Sequence, residues 1–441
     1  MRLIGQAKYY DICFVFLTSA QKEWVINVKA VQFDFNIPQY VFSKVTGRLI
    51  PSIYWNSRLS CLRYHDQSEP ELPNSNWVKI KVKYGGICGS DLNLLFLNDS
   101  PATSPFVSFP FTIGHEIVGE IETVGENVTG FQPGDRVAID PILSCSVRGI
   151  EPACSACQKG NYSLCQYKTE GDLSPGLLIG TCRDTGGGWG SHIVAHKSQI
   201  FKLPEEVNDL NGVMIEPFSC ALHSVLRNPP SEGDTVLVIG GGVIGISVIA
   251  AIRALELPCK VVALVKHEFQ AQLASDYGAD DIIMLRRQSY IEELASSIGG
   301  KVLKPVFGPE VIEGGADMIY ECVGRKQSIN DSLRFARNGG KVILLGLAGI
   351  MDGIDWTTVW LNELDVSGSF AYSTEEYKGN RVRTFEIAID LIRNGKVDLA
   401  PMVTHRFPLE KYRDAIDTAS NKKNRSAFKV VFEPNVDSLT S

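Results

Sequence analysis

Two textures of hydrophobic patterning divide the chain. From residue 28 to about 201, short runs such as VKIKVKY at 78–84 and RVAI at 136–139 are rich in β-branched residues, and Gly and Pro cut them apart. That texture predicts a strand-rich, turn-rich unit. From residue 217 to about 365 the runs become continuously apolar: VLVIG at 236–240, VVALV at 261–265, MIYECV at 318–323 and VILLG at 342–346. Helix-period segments separate them, so they read as parallel strands buried on both faces. A further helix is expected at about 382–393, closed by Asn394-Gly395. The expected plan is a β-rich catalytic unit over 28–215 and 370–441, interrupted by a doubly wound α/β nucleotide unit over 216–369.

Composition narrows this plan. A chain of 441 residues is too long for one ordinary core, which supports two domains. Its net charge of -7 disfavours attraction to nucleic acid or an anionic membrane. No apolar run reaches the length of a membrane span. The eleven cysteines are an odd number and three crowd together, as expected of metal ligands in a reducing, cytoplasmic compartment. Residues 1–27 precede the domain-like alternation and read as a poorly ordered extension or the product of an upstream start. The apolar run at 12–20 follows Arg2 and Lys8, as in a signal peptide, but Asp11 and the poor cleavage site after Ala20 argue against one.

The strand VLVIG runs into Gly240-Gly241-Gly242-Val243-Ile244-Gly245 and then a helical stretch, which is a GxGxxG motif between strand and helix. Gly240 permits the tight turn, Gly242 lets the backbone approach a pyrophosphate, and Gly245 allows close helix–strand packing. The helix N-terminus then offers free N–H groups to the phosphates. An NAD enzyme places a carboxylate about 20 positions on to bind the ribose 2′-OH. Here that place is Val265, followed by Lys266 and His267. The absence of an acid and the presence of two basic groups lean toward the 2′-phosphate of NADP, against a plain solvated lysine.

Cys145, Cys154, Cys157 and Cys165 are spaced C-x8-C-x2-C-x7-C in a loop rich in Gly, Pro and Ser. Four thiolates at loop spacing can close a tetrahedral zinc site with no open position, hence a structural one. Cys145 sits furthest out. A dispersed set comprises Cys88 in GGICGSD and His115-Glu116 in GHEIVGE. Mixed sulfur, nitrogen and oxygen donors suit a catalytic metal with room for a substrate oxygen. Taken singly, each also reads as a core cysteine, a satisfied histidine or a surface charge. Glu216 precedes Pro217, a favoured first helical residue, and is expected to cap the helix of PFSCALHSVLR, with reach toward the metal.

With GGICGSD, GHEIVGEI, the GDRV turn at 134–137, the four-cysteine lobe and GGGVIG in this order, the chain resembles the zinc-containing medium-chain dehydrogenase/reductase family, relatives of alcohol, sorbitol and threonine dehydrogenases. The resemblance spans about residues 28–432. It implies a GroES-like catalytic domain, a Rossmann domain, two zinc ions per chain, NAD(P) and a homo-oligomer, dimer or tetramer. It implies that Cys88 and His115 are catalytic zinc ligands and that Glu116 is a ligand or a close neighbour of one. Glu216 falls where alcohol dehydrogenases place a cysteine and polyol-type members a glutamate. Ser90 matches the hydroxyl that takes the substrate proton. Three departures stand out: Asn93 replaces a frequent relay histidine, the Cys145–Cys154 gap is longer than the family's short spacing, and extra residues lie around 301–313.

The activity implied is hydride transfer between a small alcohol or polyol and a nicotinamide cofactor. The alternatives are a zinc-free quinone or alkene reductase of the same superfamily, against which both cysteine sets speak, and a non-catalytic cofactor-binding protein.

Overall fold

The computed structural model describes residues 27–56, 58–285 and 290–436; the expected N-terminal extension therefore lies outside the described residues. In the β-rich unit the strand Trp77–Gly86 is central. Its WVKIKVKYGG sequence turns Val78, Ile80 and Val82 inward and Lys81 and Lys83 outward, the two-residue period of a sheet with one solvated face. The sheet order is Val403–Pro408, Lys429–Glu433, Trp77–Gly86, Ile117–Val124, Arg136–Ile139, Ile200–Lys202, and His192–His196 also pairs with Trp77–Gly86. The late strand Lys429–Glu433 thus returns to lie beside an early one, with Val431 opposite Gly86. A smaller sheet joins Leu62–Ser68, Asn27–Phe33 and Phe111–Thr112. The helix Ile37–Thr46, which the strand-like texture did not announce, starts at Asn36, whose side chain accepts from the Gln39 N–H.

The second sheet has six strands, all parallel, in the order Asp281–Met284, Lys260–Val265, Thr235–Ile239, Ala316–Glu321, Ala336–Leu344, Asp365–Gly368. Each continuous apolar run of the sequence lies within or at the end of one of these strands. Chain order reverses between Thr235–Ile239 and Ala316–Glu321, the crevice where doubly wound sheets bind ligands. The extra residues around 301–313 form an antiparallel ribbon, Lys301–Leu303 with Val311–Glu313. The helix expected at 382–393 begins at Thr384, because Val382 belongs to the ribbon Thr374–Tyr377 with Asn380–Arg383.

One expectation is corrected. Glu216 does not cap a helix, and Pro217 is not its first residue. The helix runs Asp209–Arg227, its cap is Asn208, whose Oδ1 accepts from Asn211 N–H at 2.8 Å, and Pro217 lies in its interior. An interior proline costs a helix about 3 kcal/mol. Each fully buried large apolar side chain returns about 1.5–3 kcal/mol. Val213, Phe218, Leu222 and Val225 are all fully buried, in one core cluster that also holds Val118 and Ala138 of one sheet and Val236 of the other. Burial on both sides outweighs the proline, so the helix continues through residue 216 and belongs to both cores.

Candidate active site and metal centres

The four cysteines converge. Their Sγ atoms all lie within 4.8 Å of one another, and each residue is at most 8% exposed. The Cys145 and Cys165 sulfurs are 3.6 Å apart, too far for a disulfide and close to the roughly 3.8 Å that tetrahedral Zn–S bonds of about 2.3 Å impose. Backbone N–H groups of Cys154 and Cys157 donate to Cys145 and Cys154 sulfurs, stabilising negative charge there. A hydrogen bond from the Cys157 thiol holds Cys165 down to about 5. The donor set fits a four-thiolate metal centre. Arg148, which the sequence did not single out, is fully buried beneath this lobe and donates to the carbonyls of Leu143, Leu173 and Gly176.

Cys88 follows the strand Trp77–Gly86 and caps the helix Gly89–Leu95. The Asp91 carboxylate ties this turn to His115: Oδ2 accepts from Cys88 N–H at 2.8 Å, and Oδ1 lies 3.4 Å from His115 Nδ1. Burial disfavours the imidazolium, but Asp91 and Cys88 more than offset it and hold His115 well above the ordinary histidine range. Asp91 was missed in the sequence, although a carboxylate three residues after a helix cap is a capping-box signal. Ser90 and Asn93 are half-buried on the same short helix.

Glu116 behaves differently from a free ligand. Its carboxylate is ion-paired with Lys429, whose ammonium also donates to the Ile87 carbonyl at 3.3 Å. A side chain at Gly86 would meet Glu116 Oε2 at 1.9 Å, so only glycine leaves room for this carboxylate. Glu216 is 6% exposed, and its Oε1 accepts from the Tyr372 hydroxyl at 3.1 Å. Burial pushes Glu216 up to about 7, with His115 pulling it down and Glu116 pushing it up, which sets these groups around one buried spot. Cys88, His115, Glu116 and Glu216 are not drawn to mutual ligand distance as the cysteines are. The physical reason at Glu116 is its Lys429 partner. Cys88, His115 and Glu216 offer sulfur, nitrogen and oxygen, the donor types that zinc accepts.

Among the described residues one other group comes within 4.8 Å: Glu69, Glu122 and His192. Lys79 already neutralises Glu69 at 2.7 Å there, so the protein supplies its own cation.

The glycine loop has the form the motif requires. Gly240 has φ of 110°, and a Cβ on Gly245 would lie 1.8 Å from the Gly240 carbonyl oxygen. Gly242 caps the helix Val243–Ala254 and faces open space, leaving its backbone approachable. Val265 is buried beneath Gly241, Lys266 is exposed, and His267 stacks on Phe269 at the start of the helix Glu268–Asp276.

Residues 74–205 match the model of the alcohol dehydrogenase GroES-like domain, and residues 243–386 match the zinc-binding dehydrogenase model. L-idonate 5-dehydrogenase of Vitis vinifera is 32% identical over 357 residues, covering 80% of this chain and 87% of that protein. Sorbitol dehydrogenase of Arabidopsis thaliana is 31% identical, covering 80% and 88%. Galactitol-1-phosphate dehydrogenase of Escherichia coli superposes with a TM-score of 0.68 at 25% identity, over 92% of this chain and all of that one. A zinc-binding dehydrogenase of Sinorhizobium meliloti 1021 bound to NADP gives the same TM-score and identity over 93% of this chain and all of that one. Fold, donor sets and relatives agree: the chain belongs to the zinc-containing medium-chain dehydrogenase/reductase family and is a zinc- and NAD(P)-dependent oxidoreductase of a small alcohol or polyol.

Proposed function

We propose that the substrate is a polyol or sugar-derived alcohol, and that Cys88, His115 and Glu216 hold the catalytic zinc while Cys145, Cys154, Cys157 and Cys165 hold a structural one. The observation that carries this reading is the buried Glu216 carboxylate, which feels the charge of His115. The polyol and sugar-acid dehydrogenases among the relatives support it. Zinc at these residues supplies Lewis acidity toward a substrate oxygen, and NAD(P) supplies or accepts the hydride.

The protein's own groups do the rest. Asp91 holds His115 Nδ1 and leaves Nε2 for the metal. Lys429 pairs with Glu116, which leaves Cys88, His115 and Glu216 as the metal ligands. Ser90 takes the proton of the substrate hydroxyl. Asn93 cannot titrate, so the proton leaves through water held by its amide rather than through a side chain. Gly240, Gly242 and Gly245 let the dinucleotide pyrophosphate reach the helix N-terminus. Lys266 and His267, next to a position with no carboxylate, favour the 2′-phosphate of NADP. The enzyme works as a homo-oligomer in the cytoplasm. Among the described residues no helix is long and apolar enough to cross a membrane.

A panel of polyols, primary alcohols, amino alcohols and aldehydes, run with NAD and NADP on protein of measured zinc content, tests this. Activity on vicinal diols in a sugar-alcohol framework is expected. Turnover of quinones or alkenes by zinc-free protein, with no alcohol oxidised, would overturn it.

A further inference from the structure

The Glu216 carboxylate is hydrogen-bonded on one side only. Oε1 accepts from the Tyr372 hydroxyl at 3.1 Å and from the Cys220 thiol at 3.8 Å. Among the described residues no hydrogen bond reaches Oε2. Cys220 lies four residues after Glu216 in the helix Asp209–Arg227, so both side chains rise from one face. Tyr372 arrives from far along the chain, where the last strand of the nucleotide sheet, Asp365–Gly368, hands over to the returning segment.

Tyr372 is itself held from several directions. It is 1% exposed, and its ring meets Phe385 edge-on at a centroid distance of 4.9 Å. Ala371, immediately before it, has φ of 52°, a left-handed conformation that alanine adopts only under strain. That turn aims the tyrosine inward. Ser373, immediately after it, is pinned twice: its N–H donates to Thr384 Oγ1 at 3.2 Å, and its Oγ accepts from the Ser163 N–H at 3.2 Å.

We propose that Tyr372 and Cys220 are positioning residues that occupy Oε1 of Glu216 and thereby reserve Oε2 for the catalytic zinc. The proposal rests on the reading of Glu216 as a ligand. A free carboxylate can bind a cation through either oxygen or both. With two donors already on Oε1, a metal chelated through both oxygens would compete for its lone pairs and displace at least one donor, leaving a buried polar group without its acceptor. Single-oxygen ligation keeps them, fixes the ligand's orientation and leaves one metal position free for substrate. A phenol keeps its proton at neutral pH, and the thiol is the weaker of the two donors.

The test measures zinc affinity of the catalytic site in the full chain by competition with a chromophoric chelator, using the zinc of the four-cysteine lobe as internal reference. The ligand-field spectrum of cobalt at the same site reports coordination directly. Tyr372→Phe keeps the ring and removes only the donor. It is expected to weaken the metal about 10–100-fold, the usual effect of losing a group that orients a ligand, and to shift the cobalt bands. Cys220→Ala should fall at the low end of that range, and Cys220→Ser, which restores a donor, should recover the affinity. Glu216→Ala separates the two readings. If it loosens zinc while Tyr372→Phe binds zinc and cobalt like wild type, the positioning role is wrong and the ligand role stands. If Glu216→Ala itself leaves both metals unaffected, Glu216 is not a ligand and the underlying reading fails. Should Tyr372→Phe not yield folded protein, unchanged affinity and spectrum in Cys220→Ala overturn the proposal on their own.

Discussion

Lys429 and Glu116 lie 313 residues apart in the chain and form an ion pair whose side chains are only 2% and 1% exposed. Each charge loses several kcal/mol of hydration on burial, so the pair is worth little against a well-packed apolar pair. Breaking it is another matter. Lys429→Met leaves Glu116 buried and unpaired, and is expected to cost about 3–5 kcal/mol of stability. Adding Glu116→Leu should recover most of that loss while activity stays low. Thermal unfolding of the two variants against wild type measures both effects; an unchanged midpoint in Lys429→Met would show that the pair is dispensable.

The two cysteine sets should give opposite phenotypes. Cys154→Ser opens the closed four-sulfur site, whose metal contributes folding energy, so it should lose one zinc equivalent and much of its folding yield. Cys88→Ala should fold normally and lose turnover. Elemental analysis paired with circular dichroism distinguishes the cases, and a swap of the phenotypes would reverse the assigned roles.

Proton release is expected to depend on Ser90 and not on a titrating group at position 93. Ser90→Ala should lower kcat on the order of 10²-fold, the scale of removing a positioned proton-transfer group. Asn93→Ala should leave the shape of the pH profile alone, whereas Asn93→His should add an ionisation near the ordinary histidine value of about 6.5. Near wild-type rates in Ser90→Ala would place the relay elsewhere.

Cofactor choice should follow Lys266. Its ammonium is exposed beside the end of the strand Lys260–Val265, so the proposed contact with a 2′-phosphate would be screened by salt. Lys266→Ala should lower kcat/KM for NADP about tenfold at low ionic strength, with little change for NAD. A wild-type preference for NAD under the same conditions would make Lys266 a surface residue only.

Acid should weaken the β-rich unit through His196. Burial, with Lys197 beside it, pulls His196 from 6.5 down to about 4. The folded state therefore favours the neutral ring, and the unfolded chain binds the extra proton between these values. The stabilisation is complete above pH 6.5 and is lost as pH falls toward 4. His196→Gln should flatten the stability profile across that window. A slope equal to wild type would show that other groups carry the acid sensitivity.

Features of the site that depend on close neighbours in the chain could be read from the sequence. The glycines at 240, 242 and 245 lie within one turn, and three of the four clustered cysteines sit within twelve residues. The apolar runs of the nucleotide sheet are legible because strands buried on both faces admit no polar alternation. The start of the helix at Asn208 was not legible at Glu216-Pro217, because proline marks a first helical turn equally well. Burial in a core shared by both units decided for continuation.

The sequence by itself determined the two-unit plan, the dinucleotide loop and the clustered cysteines, since each is encoded in local spacing or hydrophobic period. Only the tertiary structure decided what surrounds Cys88, His115 and Glu216. It turned Glu116 to Lys429, set Tyr372 on Glu216 across 156 residues, and locked His115 to Asp91. These partnerships arise because the last strand returns beside Trp77–Gly86 and the returning segment folds over the shared helix. No periodicity pairs residues so far apart; the register of the sheet and the burial of the helix do.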